Sequence, residues 1–340
     1  MKKIILSLFI SISIVACAQN KKTNASIIAF WNVENLYDTI NDSSIDDEEW
    51  LPSSKNNWNS EKYAKKLENT SSILAKIGTE QNSEGAAIIG LAEIENKMVL
   101  EDLVKTPKLK SRNYQIVHYN SPDNRGIDVA FLFNPTFFKL ISSSVHTVKL
   151  LGDSARPTRD ELLVSGKLNG ELVHVLVCHW PSRRGGEEKS QENRITAAKV
   201  AKGIIDSLRK VEKNAKIILM GDLNDDPKNE SVKNTLLTAS EAAKSDDKTF
   251  FNPMESILEA GQGTLSYKGK WNLFDQIIIS ESLSKKKKGN YYFKSAYVNN
   301  YPEVCETKEK YKGQPLRTYV GSKYIGGYSD HFSVYIVLEK

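Results

Sequence analysis

Short apolar runs alternate along this chain with longer stretches in which apolar residues recur every three or four positions. The runs at 25–31, 86–91, 129–133, 172–178, 217–220 and 276–279 predict β-strands. Tyr63, Leu67, Thr70, Leu74 and Ile77 fall on one face of a helix, as do Ala197, Ala201, Ile204, Ile205 and Leu208. Buried-looking strands mixed with crossing helices argue for an α/β or α+β layer architecture. No internal repeat and no Pro/Gly/Ser-rich linker divides the chain.

The first segment follows a different pattern. Lys2 and Lys3 precede an apolar run from Ile4 to Val15; Ala16 and Cys17 follow, and the chain turns polar at Gln19. The run is short for a bilayer span and has the form of a secretory signal. Ile14-Val15-Ala16-Cys17 resembles the end of a bacterial lipoprotein signal, in which the cysteine becomes the lipidated first residue. The expected organisation is a signal at 1–16, a lipidated Cys17 and tether at 17–25, and one large domain at 26–340. The expected location is outside the cytoplasm, lipid-anchored to a bacterial membrane, on its periplasmic or its outer face.

Composition excludes several classes. Among 340 residues 40% are hydrophobic and 26% charged, which fits an ordinary soluble protein and rules out disorder, collagen and a polytopic membrane protein. The formal charge is +5. Without residues 1–16 it is +3, from 45 basic residues against 42 acidic ones, so net charge says little about a polyanionic partner. Three cysteines, at 17, 178 and 305, are too few for a disulfide framework or a cysteine-built zinc site. Three stretches look irregular: the acidic residues 41–59, read as a solvated loop; the lysine run 285–288, read as a turn; and the aromatic, basic residues 299–328, long enough to suggest a role.

Chemistry collects at strand ends. Trp31-Asn32-Val33-Glu34-Asn35 closes the first predicted strand, and Glu93 lies just beyond the second. Arg125-Gly126-Ile127-Asp128 precedes the third, with Tyr119 upstream. His179-Trp180-Pro181-Ser182-Arg183-Arg184 follows the fourth, and Gly221-Asp222-Leu223-Asn224 follows the fifth. Asp275 opens the sixth, and Ser329-Asp330-His331 stands near the C-terminus. Each cluster alone is weak, because Asn and Asp are ordinary turn residues. As an ordered set spanning about 26–338, they resemble the endonuclease/exonuclease/phosphatase superfamily, the DNase I-like proteins, and in particular a bacterial secreted branch.

That resemblance implies a four-layer α/β/β/α sandwich of two packed, mainly antiparallel sheets, with the site at one end. It implies hydrolysis of a phosphate ester, whose transition state needs an activated water and positive charge on the phosphoryl oxygens. By resemblance Asn32, Glu93 and Asp330 surround a metal, with Mg²⁺ expected and Mn²⁺ as a substitute. Asp222 activates water, Asn224 holds phosphate from an extended stretch, Asp275 orients His331, and His179 contacts the phosphate. The family offers both Asp222 and His331 as the base. Tyr119, Arg125 and Arg183 match substrate-contacting positions, with Arg184 beside them. The basic and aromatic residues of 299–328 suit a nucleic acid strand, through charge on phosphates and rings on bases. An anionic lipid headgroup or a small nucleotide is the alternative substrate, and a non-catalytic binding module a further one. A monomer is expected.

Overall fold

The computed structural model describes residues 25–150 and 157–340. The lipidation site Cys17 and the signal segment lie outside the described residues. The strands are β1 Ala25–Leu36, β2 Ala86–Ile94, β3 Gln115–His118, β4 Asp128–Phe133, β5 Phe138–His146, β6 Glu161–Leu168, β7 Glu171–His179, β8 Ile217–Asp222, β9 Thr238–Ala239, β10 Phe250–Phe251, β11 Leu265–Tyr267, β12 Lys270–Asn272, β13 Asp275–Ile279, β14 Tyr292–Asn299, β15 Tyr319–Val320, β16 Lys323–Tyr324 and β17 Ser333–Glu339. The α-helices are α1 Ser60–Leu74, α2 Lys97–Lys105, α3 Glu187–Val211, α4 Met254–Glu259 and α5 Glu281–Ser284.

The strands form a six-stranded sheet, β14-β17-β1-β2-β4-β3, and a seven-stranded sheet, β5-β6-β7-β8-β13-β10-β9. Both are mainly antiparallel; the exceptions are the parallel pairs β1–β2, β7–β8 and β9–β10. Strand periodicity sorts the side chains into layers. Ile28 and Phe30 join Phe131, Val177, Met220, Ile277 and Val334 between the sheets. Their neighbours Ile27, Ala29 and Trp31 face the other way, onto Ile73 and Leu74 of α1 and Leu100 and Leu103 of α2. On the far side, Leu176, Cys178 and Leu219 meet Ala197, Ala201 and Ile205 of α3. The result is the expected α/β/β/α sandwich. All three cores draw on residues between Ile27 and Leu338.

Local signals set the helix starts. Asn59 caps α1 by accepting from the Lys62 amide, and Asn96 caps α2 by accepting from the Val99 amide. α3 begins well before the predicted face at 197, because its first turns are polar and bury Arg194 as an ion pair with Asp225 at 2.7 Å. Residues 41–59 are a largely exposed loop, as expected, apart from buried Asp47, Asn56 and Trp58. Trp50 stacks on Tyr37 and meets Trp58 and Tyr319 edge-on, locking this stretch against residues 299–328. The aromatic contacts anchor the second half of the loop, while Asp42, Asp46, Glu48 and Glu49 stay exposed.

β7 and β8 run unusually close where the site begins. A Cβ on Gly221 would lie 2.2 Å from the Cys178 carbonyl oxygen, so only glycine fits beside Asp222. Gly221→Ala is therefore expected to cost about 1–3 kcal/mol, the usual range for overpacking, and to lower Tm by several degrees in a calorimetric scan.

Candidate active site

Strand register assembles the site. In the seven-stranded sheet His179 of β7 is paired with Asp222 of β8, and Asp222 with Asp275 of β13. Two residues back along the same strands stand Val177, Met220 and Ile277, which fill the core between the sheets. The three polar residues share that parity and continue the inter-sheet layer at its open end. On the facing sheet Asn32 lies two residues beyond the core residue Phe30.

Asn32, His179 and His331 converge on one atom, Asp222 Oδ2. Asp222 Oδ2 accepts from Asn32 Nδ2 at 2.9 Å and lies 3.6 Å from His179 Nε2 and 3.9 Å from His331 Nε2. Asp222 Oδ1 accepts from the Asn224 amide. His331 Nδ1 is 2.7 Å from Asp275 Oδ2, and Trp31 Nε1 donates to the His331 carbonyl. Ser329 Oγ donates to the Asn32 carbonyl and accepts from the His331 amide, which ties the C-terminal segment to β1.

Burial and charge split the two histidines. Burial alone would lower His331, but the Asp275 and Asp222 carboxylates raise it well above the ordinary histidine value. His179 is pushed well below it by burial, then by the charges of Arg159, Arg125 and His331. The two histidines are thus pushed in opposite directions. Burial lifts Asp222 to about 6, with His331 opposing the rise.

Glu93 reaches the site through an irregularity. It sits at a bulge between β2 and β4 with φ +64°, a left-handed conformation rare for a glutamate and frequent at functional positions. Its Oε1 accepts from Asn32 Nδ2 and its Oε2 from the Asn35 amide. Asp330 pairs with Arg317 at 2.7 Å, and its Oδ1 is 3.9 Å from His331 Nε2. Glu93 and Asp330 are oxygen donors, each only partly buried, and suit a hard divalent cation. Asp222, Asp275 and His331 also bring ligand atoms within 4.8 Å of one another. There the His331–Asp275 hydrogen bond occupies His331 Nδ1 and Asp275 Oδ2, while Asp275 Oδ1 has no partner among the described residues.

Asn32 links the two carboxylates: its Oδ1 accepts from the Glu34 amide and its Nδ2 donates to Glu93 and Asp222. Several expectations need correction. Asn224 is not extended; it has φ +49°, and its Nδ2 donates to the Trp180 carbonyl, so it ties two loops together. Arg183 does not face a substrate. Its guanidinium donates to Glu187, Asp225, Asn229 and the Asn224 carbonyl, and it lies over the Phe274 ring. Tyr119, just past β3, is exposed, and its hydroxyl lies 2.8 Å from Ser143 Oγ of the edge strand β5. Arg125 is exposed, and its charge is among those lowering His179.

Residues 299–328 are also less open than expected. Tyr319 is buried in the Trp50–Trp58 cluster, and Lys308 and Lys312 lie beside Glu306 and Glu309. Fully buried Lys66 of α1 donates to Thr318 Oγ1 and the Tyr328 carbonyl, while Asn69 donates to the Gly326 and Gly327 carbonyls. Lys66 neighbours Glu34, which burial and Asp330 push up to about 7. Cys178 is buried with its thiol pushed up by that burial, which excludes it as a nucleophile, and it is unpaired, like Cys305.

Two supports were missed in the sequence. Arg159 donates from Nε to the His179 carbonyl at 3.1 Å, from Nη2 to the Trp180 carbonyl at 2.6 Å, and from Nη1 to Asp123 at 3.0 Å. Glu161 accepts from Trp180 Nε1. A charged residue at the start of an apolar strand was the only available signal for either.

The comparisons follow from this geometry. The model of the Endonuclease/Exonuclease/phosphatase family matches residues 27–340. The chain belongs to this family. Among solved structures with the same fold, D. rerio TDP2 complexed with single strand DNA product is 14% identical, with TM-score 0.57 over 93% of this chain and 99% of that one. A Bacteroides thetaiotaomicron mannosyl-6-phosphatase is 16% identical, with TM-score 0.56 over 93% and 100%. The human Nocturnin catalytic domain with bound sulfate is also 16% identical, with TM-score 0.53 over 93% and 95%. No curated protein sequence matches the chain significantly.

Burial raises Glu161 to about 8, from an ordinary 4.5. A carboxyl raised in the folded state contributes fully below about pH 4.5, and that contribution is lost as pH rises toward 8. Glu161→Gln keeps an acceptor for Trp180 without the ionisation. It is expected to raise Tm by a few degrees at pH 8 and less at pH 5, read by thermal scans at both pH values.

Proposed function

We propose that this protein is a divalent-metal-dependent phosphodiesterase that cuts nucleic acid, with Mg²⁺ as the expected ion and Mn²⁺ as a substitute. The observation that carries this reading is the position of Asp222 Oδ2, 3.6 Å from His179 Nε2 and 3.9 Å from His331 Nε2. Asp222, lifted to about 6, accepts the proton of the attacking water. His331, kept cationic by Asp275, donates to a phosphoryl oxygen as charge builds there. His179 contacts the phosphate from the opposite side, and Arg125 and Tyr119 meet the substrate at the rim. Glu93 and Asp330 would hold the metal, which when bound neutralises developing charge on the phosphoryl group.

Nucleic acid is favoured by a cavity of about 470 Å³ that ends at Asp330 and is lined by Lys268, Lys310, Tyr311 and Arg317. Lys268 and Lys310 make no ion pair among the described residues, and the neighbouring Tyr267 is exposed. The same cavity contains Ser266, Glu306 and Gln314, which are partners for sugar hydroxyls. That favours, as a second reading, a small phosphorylated sugar or nucleotide. A panel of DNA, RNA, sugar phosphates, nucleotides, phosphoinositides and sphingomyelin separates these readings. Hydrolysis of DNA or RNA with Mg²⁺, abolished by EDTA, is expected. Asp222→Ala should lower kcat by at least about a hundredfold. A folded, Mg²⁺-loaded protein inactive on every member of the panel would refute the enzyme reading.

We also propose that the protein is exported and anchored through lipid on Cys17 and functions as a monomer. No described helix is long and apolar enough to cross a membrane. Mass spectrometry of the N-terminal peptide should find acyl groups on Cys17, and Cys17→Ser should move the protein out of the membrane fraction.

A further inference from the structure

We propose that the end of the sandwich opposite the active site is a docking face for an anionic bilayer, on which the protein stands with its site turned to the aqueous side. The proposal rests on the lipid-anchor reading above and adds to it a surface and an orientation. Strand directions define the two ends. β1 starts at Ala25 and reaches the site at Asn32, and Ala25 pairs with Glu339 at the end of β17. Asp222 ends β8 and Asp275 begins β13, so Lys216 and the turn after β13 lie at the far end. Hydrogen bonds join these pieces. Ser26 Oγ lies 2.8 Å from the Tyr291 hydroxyl, Asn169 Nδ2 donates to both, and Lys216 Nζ donates to Asn290 Oδ1. The chain that carries Cys17 therefore enters the domain three residues in space and sequence from the lysine run 285–288, across the Ser26–Tyr291 contact.

Charge on this face favours an anionic partner. Lys286, Lys287 and Lys288 are exposed and make no ion pair among the described residues. Lys213, in the turn between α3 and β8, is likewise exposed and without an ion pair. Lys139 and Lys167 are direct cross-strand partners in β5 and β6, beside the Asn169 turn, and both are exposed. Like charges placed opposite each other cost stability, and no acid pairs with either among the described residues. The nearby acids are engaged. Glu171 holds Lys216 and Lys340 at 2.6 and 2.7 Å, Glu281 holds Lys285 at 2.9 Å, and Glu339 accepts from the Tyr292 hydroxyl. Exposed Asp246 and Asp247 stand at one margin, next to Ser245, whose carbonyl accepts from Lys285.

An apolar element stands in the same face and selects the partner. Val211, the last residue of α3, is 91% exposed, with Lys210 before it and Lys213 two residues on. It forms the lip of an apolar groove of about 520 Å³ that Leu172, Ile204 and Leu208 also line. Lysines around a bare valine suit a phospholipid surface: the cations meet headgroup phosphates, and the apolar side chain enters the acyl boundary. A nucleic acid would satisfy the lysines and leave Val211 in water. Tether length agrees with this choice. Cys17 is eight residues from Ala25, at most about 29 Å when extended, so a lipid there holds this end near the bilayer. Asn32 lies seven residues along β1 from Ala25, about 23 Å further from the lipid. In this orientation the site takes substrate from solution and not from headgroups of its own membrane.

The test uses residues 18–340, which keep all three cores and lack only the lipidated residue of the anchored form. The protein is sedimented with vesicles of phosphatidylglycerol and phosphatidylcholine, or of phosphatidylcholine alone. Partition into the anionic vesicles should be about tenfold or more stronger and should weaken with added salt. The triple variant Lys286→Gln, Lys287→Gln, Lys288→Gln should lose about tenfold, and Val211→Asp about threefold. All four positions are exposed, and unchanged Tm would verify folding. Equal partition into both vesicles, or partition insensitive to these substitutions, overturns the docking face. So does a triple variant that loses binding to a fluorescent DNA duplex while keeping its vesicle binding, which would make the face a nucleic-acid surface. Orientation is read on the lipidated full-length protein with Cys305→Ser. A fluorophore on Lys287→Cys should be quenched by brominated lipid, and one on Lys268→Cys, in the cavity that ends at Asp330, should not. The reverse pattern overturns the orientation. Absence of acyl groups on Cys17 would instead count against the anchor reading, while sedimentation still decides the docking face.

Discussion

Everything at the open end of the sandwich depends on a buried carboxylate that is not left alone. Asp222 is 2% exposed, and burying an ionised group there is costly unless partners compensate. Asn32 donates to it from one sheet, and the Asn224 amide from its own loop. The cationic His331, itself held by Asp275, supplies the opposite charge. Removing any one of these leaves the others unbalanced. The site is therefore a single electrostatic unit and not a set of independent residues.

The sandwich explains how that unit is held to chemical tolerance. Val177, Met220 and Ile277 anchor three adjacent strands in a dry core, and His179, Asp222 and Asp275 are the next residues of the same parity. Their relative positions follow from backbone register, which is far stiffer than a loop. Glu93 and Asn224 instead need left-handed backbone, and the surrounding sheets and hydrogen bonds hold both there. Behind them, Lys66 and Arg159 pin the segments that carry Asp330 and His179.

Much of the fold was legible because the core strands are apolar over most of their length. β1, β2, β4, β7, β8 and β13 were all found near their observed bounds. β5 escaped because most of its residues are exposed at a sheet edge, and β6 because Ser165 and Gly166 break its apolar run. β14 is a half-buried edge strand, and β3 is short. β17 carries a plain apolar run and had no such excuse. Among the site residues, His179, Asp222 and Asp275 lie at strand ends, where register sets them side by side. Arg183 was misjudged because an exposed-looking arginine gives no sign of a partner such as Asp225, which lies 42 positions away.

The sequence by itself determined a mixed layer architecture of strands and helices and the polar clusters at the strand ends, since both are written in local periodicity and residue type; the four-layer sandwich and its single site end came from the family resemblance. Only the tertiary structure decided which of them share a proton and which merely brace a loop. It alone pushed His331 up and His179 down, turned Arg183 inward to Asp225, and set Trp50 and Trp58 against Tyr319. Charge state and orientation depend on burial and on partners distant in the chain, and neither is a property of a residue's immediate neighbours.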